Sequence, residues 1–166
     1  PDSSDYAMVG FTLRNTLSEH GTVSRGLCTL GGGGLLSGME EHTRIEKKGT
    51  GALSHRPDGS VLELGGDEVV SMNLFGFTPT VFPLIERELS AFLADRGSDP
   101  KAEFFIPLLV NRLLATREAR MRVLPTDARW YGVTYREDSE QVRRAIGALQ
   151  ERGEYPVPTW EHLSGG

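Results

Sequence analysis

The feature that most limits the possible folds of this chain is the order of its hydrophobic patterns. Strand-like segments fill the first half of the chain, and helix-like segments fill most of the second half. Short segments rich in apolar and β-favouring residues, bounded by turn residues, predict the early strands. A turn signal at Arg56-Pro57-Asp58-Gly59 predicts a hairpin, and four consecutive glycines at residues 31–34 predict a tight turn. Strands are predicted at residues 5–13, 23–30, 35–46 (a strand or strand pair), 52–55, 61–64 and 67–77, the last as a strand buried on both faces.

Helical spacing of apolar residues dominates after residue 77. Thr78-Pro79 predicts a capped helix that ends at Gly97, and Pro107 lies at the entrance of a second amphipathic helix over residues 105–114. Asp138-x-x-Gln141 resembles a capping box and opens a third helix that ends at Gly153. Short strands are predicted at 121–124 and 130–133, with a surface tail over 155–166. The sequence therefore predicts a mixed α/β fold.

Length, charge and cysteine content exclude several classes of protein. A chain of 166 residues fits one domain, and Pro1 in place of Met predicts that translation begins further upstream. The net charge of −5, without a basic patch, argues against binding to nucleic acid. The sequence has no apolar run long enough for a membrane span. One cysteine, Cys28, rules out an internal disulfide framework and favours a reducing cytoplasm.

Charged side chains cluster near the end of the third predicted strand. Strict alternation puts Glu41, Thr43 and Ile45 on one face and His42, Arg44 and Glu46 on the other. A carboxylate there suits sugar hydroxyls, and Arg or protonated His suits a phosphate. The residues alone favour the simpler interpretation, which is a solvated edge strand whose charges prevent aggregation.

Two further residues allow structural and functional interpretations equally. Gly26 lies inside a strand, which indicates either a β-bulge or close approach of a ligand to the backbone. Asn73 lies in an apolar strand, where its amide must be satisfied by the fold or face a polar ligand. The glycines at 31–34 favour a hairpin turn over a phosphate loop, because strand-like residues follow them. The sequence offers neither a nucleophile–base set nor metal-ligand spacing, so no catalytic or metal-binding residue is predicted.

Several segments together resemble the sugar-phosphate nucleotidylyltransferase family, and most closely a bacterial subgroup of uncertain substrate. The resemblance depends on the joint order and spacing of the segments, and it extends from residue 5 to about residue 160. The segments are YAMVGFT (6–12), LRNTLS (13–18), VSRGLC (23–28), EHTRIE (41–46), VSMNLFGFTP (70–79), EFFIP (103–107), WYGVTYRED (130–138) and GEYP (153–156).

The resemblance implies a Rossmann-like fold, of which this chain is the second half, with a mixed sheet and flanking helices. Family members join a sugar 1-phosphate to a nucleoside triphosphate: the phosphate oxygen attacks the α-phosphorus in line, and pyrophosphate leaves. The glycine-rich phosphate loop, its lysine and the aspartate that holds Mg²⁺ belong to the family's N-terminal half, so Mg²⁺ is expected through that half. Residues 1–160 are expected to be the sugar-phosphate-binding half of the domain, and 161–166 a tail.

The resemblance also implies roles for individual residues. Gly26 matches a glycine whose backbone meets a sugar hydroxyl, Glu41 matches the sugar-binding glutamate, and Asn73 matches a strand position near the sugar. His42 stands where some relatives have a phosphate-binding lysine, and Arg44 is a possible substitute. Gly132 departs from the family, because relatives often read W-x-D there and use that aspartate for the metal.

The expected function is therefore sugar recognition within a truncated, cytoplasmic nucleotidylyltransferase that makes a nucleotide sugar. The chain alone is expected to be inactive, and self-association is expected where the other half would dock. The alternative is a non-catalytic module that binds a sugar phosphate or serves assembly.

Overall fold

A computed structural model of the chain describes residues 3–133 and 135–156, which form a mixed α/β structure. The strands are β1 (Asp5–Thr12), β2 (Val23–Leu30), β3 (Leu36–Lys48), β4 (Gly51–His55), β5 (Val61–Leu64), β6 (Val69–Gly76) and β7 (Arg120–Thr126). The helices are α1 (Val81–Arg96), α2 (Ile106–Ala115) and α3 (Asp138–Glu151). Short 3₁₀ turns follow β1 at Leu13–Thr16 and β2 at Gly32–Gly34.

All seven strands belong to one curled sheet in the order β5-β4-β3-β2-β6-β1-β7. Neighbouring strands are antiparallel except β1 and β7, which run parallel. Helices α1 and α2 connect β6 to β7. Leu35, just before β3, forms a bridge to Arg122 in β7, so the curl brings the β2–β3 turn to the far edge of the sheet. The predicted mixed α/β architecture is confirmed.

The two faces of the sheet bury separate hydrophobic cores. On one face, α2 packs Leu109, Val110 and Leu113 against residues of β1 and β7; we call this the α2 core. The other face buries Ile45, Val23 and their neighbours under Trp130; we call this the Ile45 core. Each fully buried aliphatic side chain of this kind contributes about 1.5–3 kcal/mol.

Helix α2 is also held to the edge of β3 by a polar contact. The side-chain amide of Asn111 donates to the Met39 carbonyl at 2.6 Å and accepts from the Met39 N–H at 2.9 Å. These two hydrogen bonds satisfy the N–H and carbonyl groups of Met39 on the side of β3 where no strand pairs with it, because β4 pairs with residues 45–48 of β3.

The strict alternation predicted for residues 41–46 is wrong, because β3 contains bulges. The pairing of β2 with β3 shifts between Val23 and Arg25, so Ser24 faces two residues of β3. His42 and Ile45 therefore both lie on the side of the Ile45 core, and β3 buries every third residue from 36 to 45. Glu41 lies on the opposite face, because it pairs directly with Gly26.

Strand β6 departs from the prediction of burial on both faces. Its first half is buried around Val70 and Ser71, but Asn73 and Leu74 are exposed. The ladder between β2 and β6 ends at the pair Gly26–Ser71, and Asn73 turns the strand with a φ of 57°. The second half of β6 consequently pairs with β1 alone.

The predicted helices are confirmed, as are the end of α1 at Gly97 and the position of Pro107 at the start of α2, whereas the predicted N-terminal caps of α1 and α3 are wrong. Helix α1 begins at Val81 after Thr80, so Thr78-Pro79 precedes it, and no side chain caps its first turn. Asp138 lies inside α3 rather than at its cap; its carboxylate accepts bonds from the Tyr135 N–H and the Ser18 hydroxyl.

Residues 130–133, predicted as a strand, have no strand structure. This segment instead crosses the loop after β1, where the Trp130 N–H donates to the Asn15 carbonyl. The predicted tail falls outside the described residues from 157 onward. None of the described helices combines the length and apolar character needed to cross a membrane.

Candidate functional site

The structure brings Gly26 and Glu41 together as directly opposed residues of β2 and β3. A Cβ atom on Gly26 would lie 2.8 Å from the Met39 sulfur and 3.4 Å from the Ser71 Cβ. Packing against these two side chains therefore accounts for the absence of a side chain at Gly26, and the nearby bulge lies two residues earlier, at Ser24. The interpretation of Gly26 as a ligand contact remains a prediction.

Glu41 presents a carboxylate at the surface beside this glycine. Partial burial raises the pKa of Glu41 above 4.5, and the nearby Arg25 and His42 partly oppose that shift. A partly desolvated carboxylate gains more free energy from new hydrogen-bond donors than a fully hydrated carboxylate does. Its position suits a hydroxyl-bearing ligand.

His42 lies behind Glu41, in the Ile45 core. The residue is 5% exposed, and its Nδ1 is 2.6 Å from the Ser54 hydroxyl oxygen. Its Nε2 lies 3.6 Å from the Glu40 carboxylate. A serine, a histidine and a glutamate are therefore close in space here. Ser54 is only 1% exposed, however, so its hydroxyl is inaccessible to a substrate, and the His42–Ser54 hydrogen bond satisfies two buried polar side chains.

Arg44 and Asn73 lie away from the Gly26–Glu41 pair. Arg44 is exposed within the β3 bulge, on a different part of the strand surface from Glu41. Asn73 is exposed too, two residues beyond Ser71, which is the β6 residue that faces Gly26. The amide is therefore not a buried group in need of a partner, as its apolar neighbours had indicated.

A groove of about 320 Å³ lies between β3 and the end of β4 and contains two of the predicted residues. Its lining brings carboxylates together with one guanidinium and two imidazoles. Arg56 lies 3.9 Å from the Glu40 carboxylate, which also approaches His42. The groove is lined by Glu40, Glu41, His42, Thr43, Ser54, His55, Arg56, Pro57 and Asp58. Such a surface offers acceptors for hydroxyl groups and a cation for an anionic group.

The residues of this groove, the Glu41 groove, do not form a hydrolytic or thiol-based centre. Burial raises the pKa of the only cysteine, Cys28, to about 12, which keeps the thiol protonated at neutral pH. In the described parts of the chain, no group of three or more His, Cys, Asp or Glu side chains is placed to hold a metal ion.

Sequence reasoning missed a second polar site, centred on Arg25. The Arg25 side chain is 7% exposed, and its guanidinium carbon lies 5.1 Å from the centre of the Trp130 ring. Trp130 packs against the Ile45 core. The available signal was that Arg25 shares a strand face with Val23, because residues two apart point to the same side.

The position of the stacked Trp130 ring accounts for the absence of a side chain at Gly132. A Cβ atom on Gly132 would overlap the six-membered ring of Trp130. An aspartate at this position, as in the W-x-D pattern, would therefore require the Trp130 ring to leave its place over Arg25. The described residues at this point fit a stacked aromatic ring and not a carboxylate ligand for Mg²⁺.

Comparison with known proteins adds no assignment: no protein-family model matches this chain, and no curated protein matches it.

Proposed function

We propose that residues 1–160 are the sugar-phosphate-binding half of a Rossmann-like, cytoplasmic nucleotidylyltransferase. The observation that carries the proposal is the Glu41 groove, where a partly desolvated carboxylate lies at the β3 position opposite Gly26 and lines a polar cleft. The ordered sequence segments that resemble the family supply the reaction type.

In this proposal the chain binds and orients one substrate. The carboxylate of Glu41 accepts hydrogen bonds from two sugar hydroxyls, which is the geometry that makes a carboxylate specific for a sugar. Arg56, which lines the same groove, offers a positive charge for the phosphate of the sugar 1-phosphate. Arg44 is a second exposed guanidinium on β3, close in sequence to the groove.

Mg²⁺ and the nucleoside triphosphate would be bound by the family's other half. When bound there, the metal supplies charge neutralisation at the transferring phosphoryl group. Since Gly132 offers no carboxylate, no metal-dependent step is assigned to the residues of this chain.

A non-catalytic role is the second candidate, and Gly132 favours it. The ring of Trp130 occupies the space that a side chain at residue 132 would need. A chain of this kind could bind a sugar phosphate without contributing to nucleotidylyl transfer.

Steady-state kinetics of the full-length protein test the proposal. Glu41→Gln should raise the Michaelis constant for the sugar 1-phosphate about 10-fold, equivalent to about 1.4 kcal/mol, because a neutral amide binds hydroxyls less strongly. The constant for the nucleoside triphosphate should stay unchanged. Glu63→Gln is the matched control, since Glu63 is an exposed strand glutamate paired only with Lys48. Absence of any pyrophosphate release with hexose 1-phosphates would instead favour the non-catalytic candidate.

A further inference from the structure

Arg25 is a buried cation whose hydrogen-bond partners are all neutral. Its Nε donates to the Thr16 hydroxyl at 3.0 Å, its Nη1 donates to the Ser24 carbonyl at 2.6 Å, and its Nη2 donates to the Thr16 carbonyl. Among the residues that the structure describes, none forms an ion pair with Arg25. Fully buried arginines usually have an anionic partner, because removing the charge from water is costly.

The cost of burying this charge lowers the pKa of the Arg25 side chain. Burial lowers the pKa of Arg25 to about 10, and the more distant Glu41 only partly opposes this shift. The guanidinium is still protonated at neutral pH, so the protein keeps a positive charge in a site that disfavours it. A bound anion would relieve that cost.

A small cavity lies directly beside this guanidinium. It has a volume of about 30 Å³ and lies between the loop after β1, the segment before α3 and the first turn of α3. Its lining includes a second arginine, Arg129, and three residues with polar side chains, Ser18, Tyr131 and Gln141. The guanidinium of Arg129 lies over the Tyr131 ring, with its carbon 5.7 Å from the ring centre. We call this cavity the Arg25 pocket.

The one carboxylate in the lining is already engaged. The two oxygens of Asp138 accept bonds from the Ser18 hydroxyl at 3.2 Å and from the Tyr135 N–H at 2.8 Å. Asp138 also begins α3, whose N-terminal N–H groups favour negative charge. The first turn of α3 also carries Glu140, so the net positive charge of the lining comes from its two arginines against one hydrogen-bonded carboxylate.

The size of the pocket limits the ligand. At about 10–15 Å³ for each water molecule, the volume corresponds to two or three waters, so a larger ligand would place only a small group inside the pocket. The bidentate donors of arginine match the oxygens of a tetrahedral oxyanion better than a halide. A single phosphoryl group meets both limits.

We propose that the Arg25 pocket binds one phosphoryl group, which Arg25 and Arg129 hold with help from Gln141. The group is either free phosphate or the phosphoryl end of an ester whose remainder stays outside the pocket. This site shares no lining residue with the Glu41 groove. The proposal therefore does not rest on the proposed function.

Titration of the chain with inorganic phosphate, followed by ³¹P NMR and calorimetry at constant ionic strength in chloride, tests the proposal. Saturable binding below about 10 mM is expected, and Arg129→Gln should weaken it about 10-fold through the loss of one charge-assisted contact. Arg129 is exposed, so this variant should fold normally. Arg25→Gln should abolish binding. Arg143→Gln, an exposed arginine of α3 outside the pocket, is the control and should bind like the unmodified protein.

Two results would overturn the proposal: no saturable phosphate binding, or equal binding by Arg129→Gln and the control. Competition with a hexose 1-phosphate distinguishes the two sources of the group. Displacement of phosphate identifies an ester as a ligand of the pocket, and lack of displacement identifies the free ion. Glu41→Gln should leave phosphate binding unchanged, so failure of the proposed sugar site would be seen separately.

Discussion

Replacement of Gly132 by alanine tests the stacking of Trp130 over Arg25. The new methyl group would overlap the Trp130 ring, so the ring must shift and lose its place above the guanidinium. Overpacking of this kind costs about 1–3 kcal/mol, and a cation–π contact near a desolvated guanidinium is worth about 0.5–2 kcal/mol. Because the half-buried ring can relax, we expect a loss of about 1–3 kcal/mol in the free energy of unfolding.

Thermal melting monitored by circular dichroism measures this loss, which corresponds to roughly 2–4 °C per kcal/mol for a chain of this length. Tryptophan emission reports the ring itself, in a Trp160→Phe background that leaves Trp130 as the remaining tryptophan of two. Gly38→Ala is the control, since its Cβ meets no atom within 4 Å. Equal melting of both variants with unchanged emission would refute the stacking argument.

Three further predictions concern the chain as a whole. Because the pKa of Cys28 is raised to about 12, its thiol should react with a disulfide reagent at pH 8 much more slowly in the folded protein than after denaturation; equal rates would contradict its burial. The 166-residue chain should release no pyrophosphate from nucleoside triphosphates and hexose 1-phosphates with Mg²⁺, because in the proposed function the nucleotide-binding half of the family supplies most of the electrostatic stabilisation; robust turnover by the pure chain would contradict this. The second half of β6 has no partner on the β2 side, and Leu74 is 54% exposed, so sedimentation velocity should detect a dimer rather than a strict monomer at high concentration.

Local patterns were sufficient for most of the elements. Strand β2 was predicted with its observed bounds, Val23–Leu30, and the β4–β5 hairpin follows the Arg56–Gly59 turn signal. These elements depend on alternation and turn residues that lie close together in the chain. The helices were predicted for the same reason, since their apolar spacing is local.

The errors arose where pairing with a distant strand decides the outcome. The bulge that puts His42 and Ile45 on one face depends on the register between β2 and β3, which alternation within β3 cannot reveal. The exposure of Asn73 depends on where the β2–β6 ladder ends. The apolar residues of 130–133 suggested a strand, yet the segment forms none, and its Trp130 ring stacks over the Arg25 guanidinium.

The candidate site was predicted only in part. Glu41 and Gly26 are neighbours as the resemblance implied, whereas His42 is buried against Ser54. Arg25 was missed because sharing a strand face with Val23 does not by itself indicate that an arginine is buried. Only the contacts with Thr16 and Trp130, made by distant segments, identify it.

Calorimetric titration of the chain with a panel of hexose 1-phosphates is the most direct test of sugar-phosphate recognition at Glu41. At least one should bind saturably, Glu41→Gln should bind it about 10-fold more weakly, and Glu63→Gln should match the unmodified protein. The melting temperature of Glu41→Gln should not fall. Burial raises the pKa of the folded-state carboxyl, so its ionised form costs stability at neutral pH and the amide removes that cost. Normal binding by Glu41→Gln together with melting several degrees lower would contradict the account and identify Glu41 as a structural residue of β3.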